Sequence, residues 1–150
     1  MQFDEDFASP VDFANLYRDL ELQVVPAKTP SEDKAWKRPA IKWREHENFL
    51  VEEKVFQQWY GPDGEHRMRT NMGLITGNAS GRLVIVDLDT HKNSKATEWW
   101  NDLMDMWNNS QWPQTPVQRT GGGGLQFLLR CPEWYTPPTN KTSIGVDIRG

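Results

Sequence analysis

Two aspartates, Asp87 and Asp89, end the apolar run LVIVDLD and could act together on one ligand. Side chains alternate along a β-strand, so both carboxylates point to one face while Leu88 points to the other. The β-branched run predicts a buried strand, where two like charges repel each other and each loses hydration. A cation would relieve both costs. The alternative is a pair of solvated aspartates that cap turns, because DxD alone is a weak motif.

A third acid, Asp147, lies in the apolar segment GVDIR between Val146 and Ile148, which face the opposite way in a strand. Carboxylates that bridge two cations about 3.5–4 Å apart are the usual machinery of phosphoryl and nucleotidyl transfer. The single cysteine, Cys131, can form neither an internal disulfide nor a thiolate zinc site. We therefore expect oxygen ligands and a hard cation, Mg²⁺ or Mn²⁺.

The glycine-rich segment TGGGG, residues 120–124, could bring backbone amides close to phosphates. It lacks the GK[ST] ending of a Walker A loop, which excludes a nucleotide-driven motor of that kind. An unliganded glycine hairpin is the alternative. Gln126 follows within LQFLL and is either a contact to a nucleotide or a hydrogen-bonded core amide.

Charge limits how the chain could bind DNA. Its net charge of -4 argues against simple electrostatic wrapping, because contacts from Lys and Arg to phosphates supply most nonspecific affinity. The segment 34–44, KAWKRPAIKWR, nevertheless has five basic residues, two tryptophans and no acid. It could hold a nucleic-acid backbone and stack a ring on a base, or be a solvated loop whose tryptophans pack inward.

The first ten residues, MQFDEDFASP, lack the basic and apolar regions of a secretion signal, and no stretch is apolar enough to span a bilayer. Together with the lone cysteine, this predicts a cytoplasmic protein.

Hydrophobic spacing predicts three helices. The first begins with Ser9 as cap, Pro10 at the first position and Asp12 in the first turn. Its apolar face comprises Phe13, Leu16, Tyr17 and Leu20. The second, ended by the GPDGEHR loop, contains the apolar residues Val51, Val55, Phe56 and Trp59. The third is capped by Ser94, runs to about Asn108, and has a core-facing stripe of Ala96, Trp99, Trp100, Leu103, Met106 and Trp107.

Short strands are predicted at LQVVP, MGLIT, RLVIVDLD, PVQRT, LQFLLR and GVDIR. MGLIT and RLVIVDLD, separated by GNASG, are expected to form one hairpin, and PVQRT and LQFLLR, which flank the glycines, a second. The prediction is a single α+β domain over residues 1–150. Within it, a small α/β segment at 1–70 precedes a ββαβββ core with a mainly antiparallel sheet at 71–150.

Taken in order, NMGLITG, LVIVDLD, TGGGGLQFLL and GVDIRG resemble the bifunctional primase-polymerase N-terminal domain of the archaeo-eukaryotic primase superfamily. Pro26, the KRP at 37–39 and Trp43 are similar to that family's proline, lysine-x-proline and tryptophan pattern. The resemblance covers most of the chain and is strongest from Asn71 onward.

The resemblance implies an RRM-like catalytic sheet that makes and extends primers from nucleoside triphosphates on a single-stranded DNA template. It assigns the catalytic metals to Asp87 and Asp89, with Asp147 as the third acid. It assigns nucleotide phosphates to the loop glycines Gly122, Gly123 and Gly124.

One position departs from the family pattern. A histidine that contacts the nucleotide's phosphates follows the glycine loop in the family, and Gln126 stands there in this chain. Glutamine can donate a hydrogen bond but carries no positive charge, so phosphate binding is expected to be weaker or shared with Arg119, Arg130 or Lys37. The family pattern also continues past the third acid, which implies a fragment of a longer replication protein, with a helicase domain downstream as in phage and plasmid relatives.

Two other functions remain open. A catalytically degenerate module that binds single-stranded DNA or recruits a helicase is favoured slightly by Gln126. A metal-dependent nuclease would use the same acids, and the expected lack of a lysine or histidine beside them to activate water counts weakly against it. His91 follows the DLDT segment and could lie near the metals, but like His46 and His66 it is interpreted as a surface residue instead of a ligand.

Overall fold

The computed structural model of the protein describes residues 9–29, 37–91, 93–107, 115–120, 122–137 and 139–150. The chain forms two compact units, an N-terminal unit, Met1–Gly81, and a C-terminal unit, Arg82–Gly150. Helices and antiparallel strands occur in both, so the predicted α+β class is confirmed. None of the helices in the described ranges has the length and apolar character needed to cross a membrane.

The N-terminal unit begins with helix α1, Pro10–Asp19, followed by strand β1, Val24–Pro26. The predicted helix start is confirmed, because Ser9 Oγ accepts the backbone N–H of Asp12 while the Asp12 carboxylate accepts that of Ser9 at 3.1 Å. The apolar face is only partly as predicted. Ala14 is fully buried, whereas Phe13 and Leu20 are exposed.

Helix α2, Glu53–Tyr60, buries Phe56, Trp59 and Tyr60 in the core of this unit and ends at Gly61 as predicted. A buried glutamine, Gln23, ties the segment before α2 to β1. Its Oε1 accepts the backbone N–H of Val51 at 2.7 Å, and its side-chain amide donates to Val24 O at 3.1 Å.

Strand β2, Met72–Leu74, pairs antiparallel with β1, so the predicted hairpin of MGLIT with RLVIVDLD is wrong. The GNASG connection is not a tight hairpin turn. It contains a 3₁₀ turn, Asn78–Ser80, followed by Gly81 and Arg82 with φ of 58° and 65°. Ser80 is fully buried and its hydroxyl donates to Ile75 O, which fixes this turn next to the end of β2.

In the residues that the structure describes, the C-terminal unit has one helix and a five-stranded antiparallel sheet. Its elements are β3 Leu83–Leu88, α3 Ser94–Trp107, β4 Val117–Arg119, β5 Leu125–Arg130, β6 Asn140–Lys141 and β7 Val146–Arg149. The strand order is β4-β5-β3-β7-β6, which puts β3 in the centre. The predicted hairpin across the glycines is confirmed as β4 and β5, whereas the short strand β6 was not predicted.

Helix α3 covers one face of this sheet. Trp100 stacks on Phe127 of β5 with ring centroids 4.0 Å apart, and Ala96 is completely buried with Leu88. Two details of the prediction are wrong: Asn93 Oδ1 accepts the Lys95 N–H in the manner of a cap, leaving Ser94 inside the helix, and Met106 is 79% exposed. The Trp107 side chain and Asn108 lie outside the described part of the chain.

Candidate active site

A row of polar residues crosses the face of the C-terminal sheet that is opposite α3. Cross-strand partners in an antiparallel sheet share a face, and in this row each residue lies directly opposite the next. From edge to edge, the row comprises Gln118, Gln126, Asp87, Asp147 and Lys141. The residues one position along in β3, Val86 and Leu88, face α3 instead. The apolar core and the polar row are therefore the two faces of one sheet.

The centre of the row is the pair Asp87 on β3 and Asp147 on β7. Their side chains are 19% and 21% exposed, so each carboxylate has lost much of its contact with water. Asp147 Oδ1 accepts the backbone N–H of Thr142 at 3.3 Å. Both carboxylates face the same arginine, since Arg149 Nη2 lies 3.5 Å from Asp87 Oδ2 and 3.3 Å from Asp147 Oδ2.

Asp89 lies just past the end of β3, where its backbone N–H donates to Gly145 O at 2.8 Å. Gly145 has φ of 79°, and a Cβ at this position would lie 3.1 Å from Asn93 Cβ and 3.4 Å from Asp89 Cβ. The glycine thus lets the start of β7 approach the acidic segment closely. The Asp89 side chain is 49% exposed and its Oδ1 lies 4.0 Å from His91 Nδ1.

The sequence interpretation of His91 as a surface residue that could lie near the acids is confirmed, because His91 is a surface residue and its ring lies beside Asp89. Its side chain is 28% exposed and lies beside Asp89. The ring also packs on the glycine loop, because a Cβ on Gly122 would be 3.3 Å from His91 Cε1. The sequence shows that His91 follows Asp89 by two residues. It does not show that the turn between them directs the imidazole onto the glycine loop.

The glycine loop connects β4 to β5 and is closed by Thr120. The Thr120 backbone N–H donates to Gly124 O and its hydroxyl accepts the Gly124 N–H, both at 2.9 Å. Gly124 approaches the end of β3 so closely that a Cβ would lie 2.6 Å from Leu88 O. Gly122 and Gly123 are exposed, and Gly121 lies outside the described residues. The exposed loop is therefore next to Leu88, which separates Asp87 from Asp89.

Gln126 is in the row beside Asp87, and its Oε1 accepts a hydrogen bond from Gln118 Nε2. The bond orients the amide and leaves its NH₂ group as the part able to donate to a ligand. Gln118 was not identified from sequence, because its place in the row depends on the register between β4 and β5.

Of the basic residues predicted to share phosphate binding, Arg130 lies at the end of β5 on the same face as Gln126, whereas Arg119 and Lys37 lie elsewhere. Arg119 pairs with Leu125 and so faces the side of the sheet opposite to Gln126. Lys37 is exposed in the N-terminal unit. Of the basic segment, Lys34, Ala35 and Trp36 lie outside the described residues. Trp43 packs against the core of its unit, and the Arg44 guanidinium lies 5.9 Å from its ring. This inward packing of Trp43 agrees with the alternative interpretation of the segment as a solvated loop.

The aspartate pair fits a divalent cation in one respect, because both Oδ2 atoms already face one positively charged nitrogen. Carboxylate oxygens are also the donors that Mg²⁺ and Mn²⁺ prefer. Among the residues that the structure describes, no three His, Cys, Asp or Glu side chains form a group that could hold a metal ion. Asp89 therefore does not join Asp87 and Asp147 in this arrangement, and the three-carboxylate site stays a prediction.

The order of these segments along the chain can be compared with known families. A sequence profile described as bifunctional DNA primase/polymerase, N-terminal, matches residues 14–150, which include every strand and all but the first residues of α1. No curated protein and no solved structure gives a significant match. The resemblance predicted from the motifs is confirmed, and the chain belongs to the bifunctional DNA primase/polymerase N-terminal family.

Proposed function

We propose that this chain catalyses template-directed nucleotidyl transfer for primer synthesis and extension, with the exposed polar row as its active face. The observation that carries the proposal is the pairing of Asp87 with Asp147 at the centre of the sheet. Two carboxylates on adjacent strands that are only about one-fifth exposed cost free energy unless a positive charge lies between them. In this proposal the sheet corresponds to the RRM-like catalytic sheet that the family resemblance implies.

In the proposed reaction, a 3′-hydroxyl attacks the α-phosphorus of a nucleoside triphosphate. A new phosphoester bond forms, the bond to the β-phosphate breaks, and pyrophosphate leaves while the hydroxyl proton passes to solvent. Mg²⁺ or Mn²⁺, when bound, would activate the hydroxyl and neutralise the leaving oxygen. Asp87 and Asp147 would hold it, and Asp89 would have to turn from His91 to join them.

The neighbouring residues are arranged to handle the triphosphate. Gln126 can donate its amide NH₂ from the position beside Asp87, in an orientation set by Gln118. The exposed backbone of Gly122 and Gly123 follows, and backbone N–H groups in glycine loops bind phosphates. The single-stranded template and a helicase domain, downstream or in trans, are further partners that we propose by family resemblance, in the cytoplasm of a cell or of a phage-infected host.

Activity can be tested with a single-stranded template, ribo- or deoxynucleoside triphosphates and Mn²⁺, with and without a primer. We expect labelled product from the wild type and a loss of about 100-fold or more in Asp87→Asn and Asp147→Asn. Asp102→Asn is the matched control, because Asp102 is exposed on α3. Wild-type protein that binds the template yet makes no product would overturn the proposal.

A degenerate DNA-binding module is the second candidate. It is favoured by the Gln118–Gln126 hydrogen bond, which engages the residue at the position of the family's histidine. It is also favoured because the described residues contain no group of three acids, histidines or cysteines that could hold a metal ion. A nuclease is the third, and His91 beside Asp89 removes part of the sequence argument against it. Incubation of the template with Mn²⁺ alone separates these candidates, since only a nuclease shortens it.

A further inference from the structure

Arg149 occupies the position at which the proposed function requires a cation. It lies two residues after Asp147 on β7 and therefore on the same face of the sheet. A single nitrogen, Nη2, is 3.3 Å from Asp147 Oδ2 and 3.5 Å from Asp87 Oδ2. The guanidinium thus forms an ion pair with both carboxylates at once.

The three side chains differ in their freedom to move. Asp87 projects from the central strand and Asp147 is held by the Thr142 N–H, and both are about one-fifth exposed. The Arg149 side chain is 41% exposed and is long enough to leave without moving the backbone. The Cα of Arg149 lies opposite Ile85, a buried apolar residue, so the guanidinium reaches along the face to the aspartates. A competing divalent cation would displace the arginine and leave the acids in place.

Charge on this face adds a second requirement. The residue beside Asp87 is the neutral Gln126, and Arg119 faces the other side of the sheet. Lys141 lies at the edge of the row beyond Asp147, and Arg130 lies four residues beyond Gln126 on β5, so Arg149 is the cation that already contacts both aspartates. A triphosphate bound along the row needs a cationic donor, and a guanidinium makes strong, charge-assisted hydrogen bonds to phosphate oxygens.

We propose that Arg149 is an exchangeable counter-ion of the active site. It holds Asp87 and Asp147 together in the metal-free protein, leaves them when a divalent cation binds, and then contacts the phosphates of the incoming nucleotide. This inference rests on the proposed function, because it uses the same two aspartates as metal ligands.

The test compares wild type with Arg149→Gln and Arg149→Lys, and it does not depend on turnover. Mn²⁺ affinity is measured without nucleotide, from the electron paramagnetic resonance signal of free Mn²⁺. Nucleotide affinity is then measured with saturating Mn²⁺ and a non-hydrolysable triphosphate. We expect Arg149→Gln to bind Mn²⁺ severalfold more tightly, because the competing charge is gone, and to bind the triphosphate about 10- to 100-fold more weakly. Arg149→Lys should lie between the two for both ligands.

Arg67→Gln is the control, since Arg67 is exposed in the N-terminal unit, and it should match the wild type in both measurements. Unchanged or weaker Mn²⁺ binding by Arg149→Gln would overturn the exchange, and unchanged triphosphate affinity would overturn the phosphate contact. Circular dichroism melts of each variant, with and without Mn²⁺, show whether it folds. If Arg149→Gln does not fold, the same two comparisons are made with Arg149→Lys.

The Mn²⁺ measurements on Asp87→Asn and Arg149→Gln distinguish a missing metal site from a fixed arginine. If wild-type protein binds no Mn²⁺ and Asp87→Asn changes nothing, the metal site itself is absent. If wild-type binding of Mn²⁺ is lost in Asp87→Asn but is the same in Arg149→Gln, the site stands and Arg149 is a fixed structural partner of the acids.

Discussion

Gln118 Nε2 donates a hydrogen bond to Gln126 Oε1 across β4 and β5, which fixes the amide that lies beside Asp87. This bond explains how a neutral residue can be held in position at the edge of the proposed triphosphate site. It also predicts what a charged replacement would do. A positively charged side chain at position 126 would lie beside Asp87 like Gln126 and would donate a stronger hydrogen bond to the phosphates.

Substitution Gln126→His should lower the apparent KM for nucleotide by about 3- to 10-fold, because charge-assisted hydrogen bonds are roughly twice as strong as neutral ones. The measurement is the nucleotide dependence of primer extension with Mn²⁺. Gln58→His, at an exposed position of α2, should leave KM unchanged. An unchanged KM in Gln126→His would mean that this position is not near the triphosphate.

Packing between α3 and the sheet should depend strongly on Trp100. Trp100→Ala removes the ring that stacks on Phe127 and leaves a cavity on the α3 side of the sheet. We expect the free energy of unfolding to fall by about 2–4 kcal/mol, measured by urea denaturation. Trp134→Ala makes the same change at a residue that is 85% exposed, and its effect should stay within about 0.5 kcal/mol. Equal losses in the two variants would show that the stack contributes no stability.

The features that the sequence predicted correctly are local ones. The capping box at Ser9 and Asp12 depends on residues three apart, and the β4–β5 hairpin joins strands that are neighbours in the chain. The alternation in β3 and β7 correctly put Asp87 and Asp147 away from the apolar core. In each case the interacting residues are close in sequence, so residue propensity and spacing were sufficient to predict the structure.

Apart from the cap of α3 and the exposure of Met106, the errors concern partners that are distant in sequence. Strand β2 pairs with β1 across a long connection, and GNASG gave no sign that Ser80 would be buried and accept the backbone N–H of the distant Gln23. The polar row requires the register of four strand pairs, and a shift by one residue would turn each side chain to the other face. Arg149 could have been noticed, because residues two apart in GVDIR share a face. The contact of Arg149 with Asp87 could not have been predicted, because it depends on the pairing of β3 with β7.

The glycine loop offers a matched pair of substitutions. A Cβ on Gly124 would lie 2.6 Å from the carbonyl oxygen of Leu88, whereas one on Gly122 would meet only the His91 ring, at 3.3 Å. The backbone oxygen cannot move without disturbing β3, but an imidazole can rotate. We therefore expect Gly124→Ala to lower the free energy of unfolding by about 1–3 kcal/mol and Gly122→Ala to change it by less than about 0.5 kcal/mol. Urea denaturation measures both, and similar values for the two would contradict the close approach of Gly124 to β3.

The buried hydroxyl of Tyr60 predicts both a stability change and its pH dependence. Tyr60 is 1% exposed, and its hydroxyl has no hydrogen-bond partner among the described residues. Burial raises the pKa of this hydroxyl well above its usual 10.0, and the nearby charge of Arg69 offsets only part of the rise. Tyr60→Phe removes an unsatisfied polar group, so at neutral pH the free energy of unfolding should be unchanged or higher by about 1 kcal/mol.

At alkaline pH the two proteins should diverge further. Because the folded state keeps the Tyr60 proton while the unfolded chain releases it, wild-type stability is lost as the pH rises above about 10, by up to about 1.4 kcal/mol per pH unit. Tyr60→Phe lacks this contribution and retains the smaller one from Tyr17, whose pKa burial also raises. Urea denaturation across this range measures the slopes, and Tyr135→Phe, at a residue 45% exposed, should keep the wild-type slope. If Tyr60→Phe is clearly less stable than wild type at neutral pH, the hydroxyl makes a bond that the described residues do not supply.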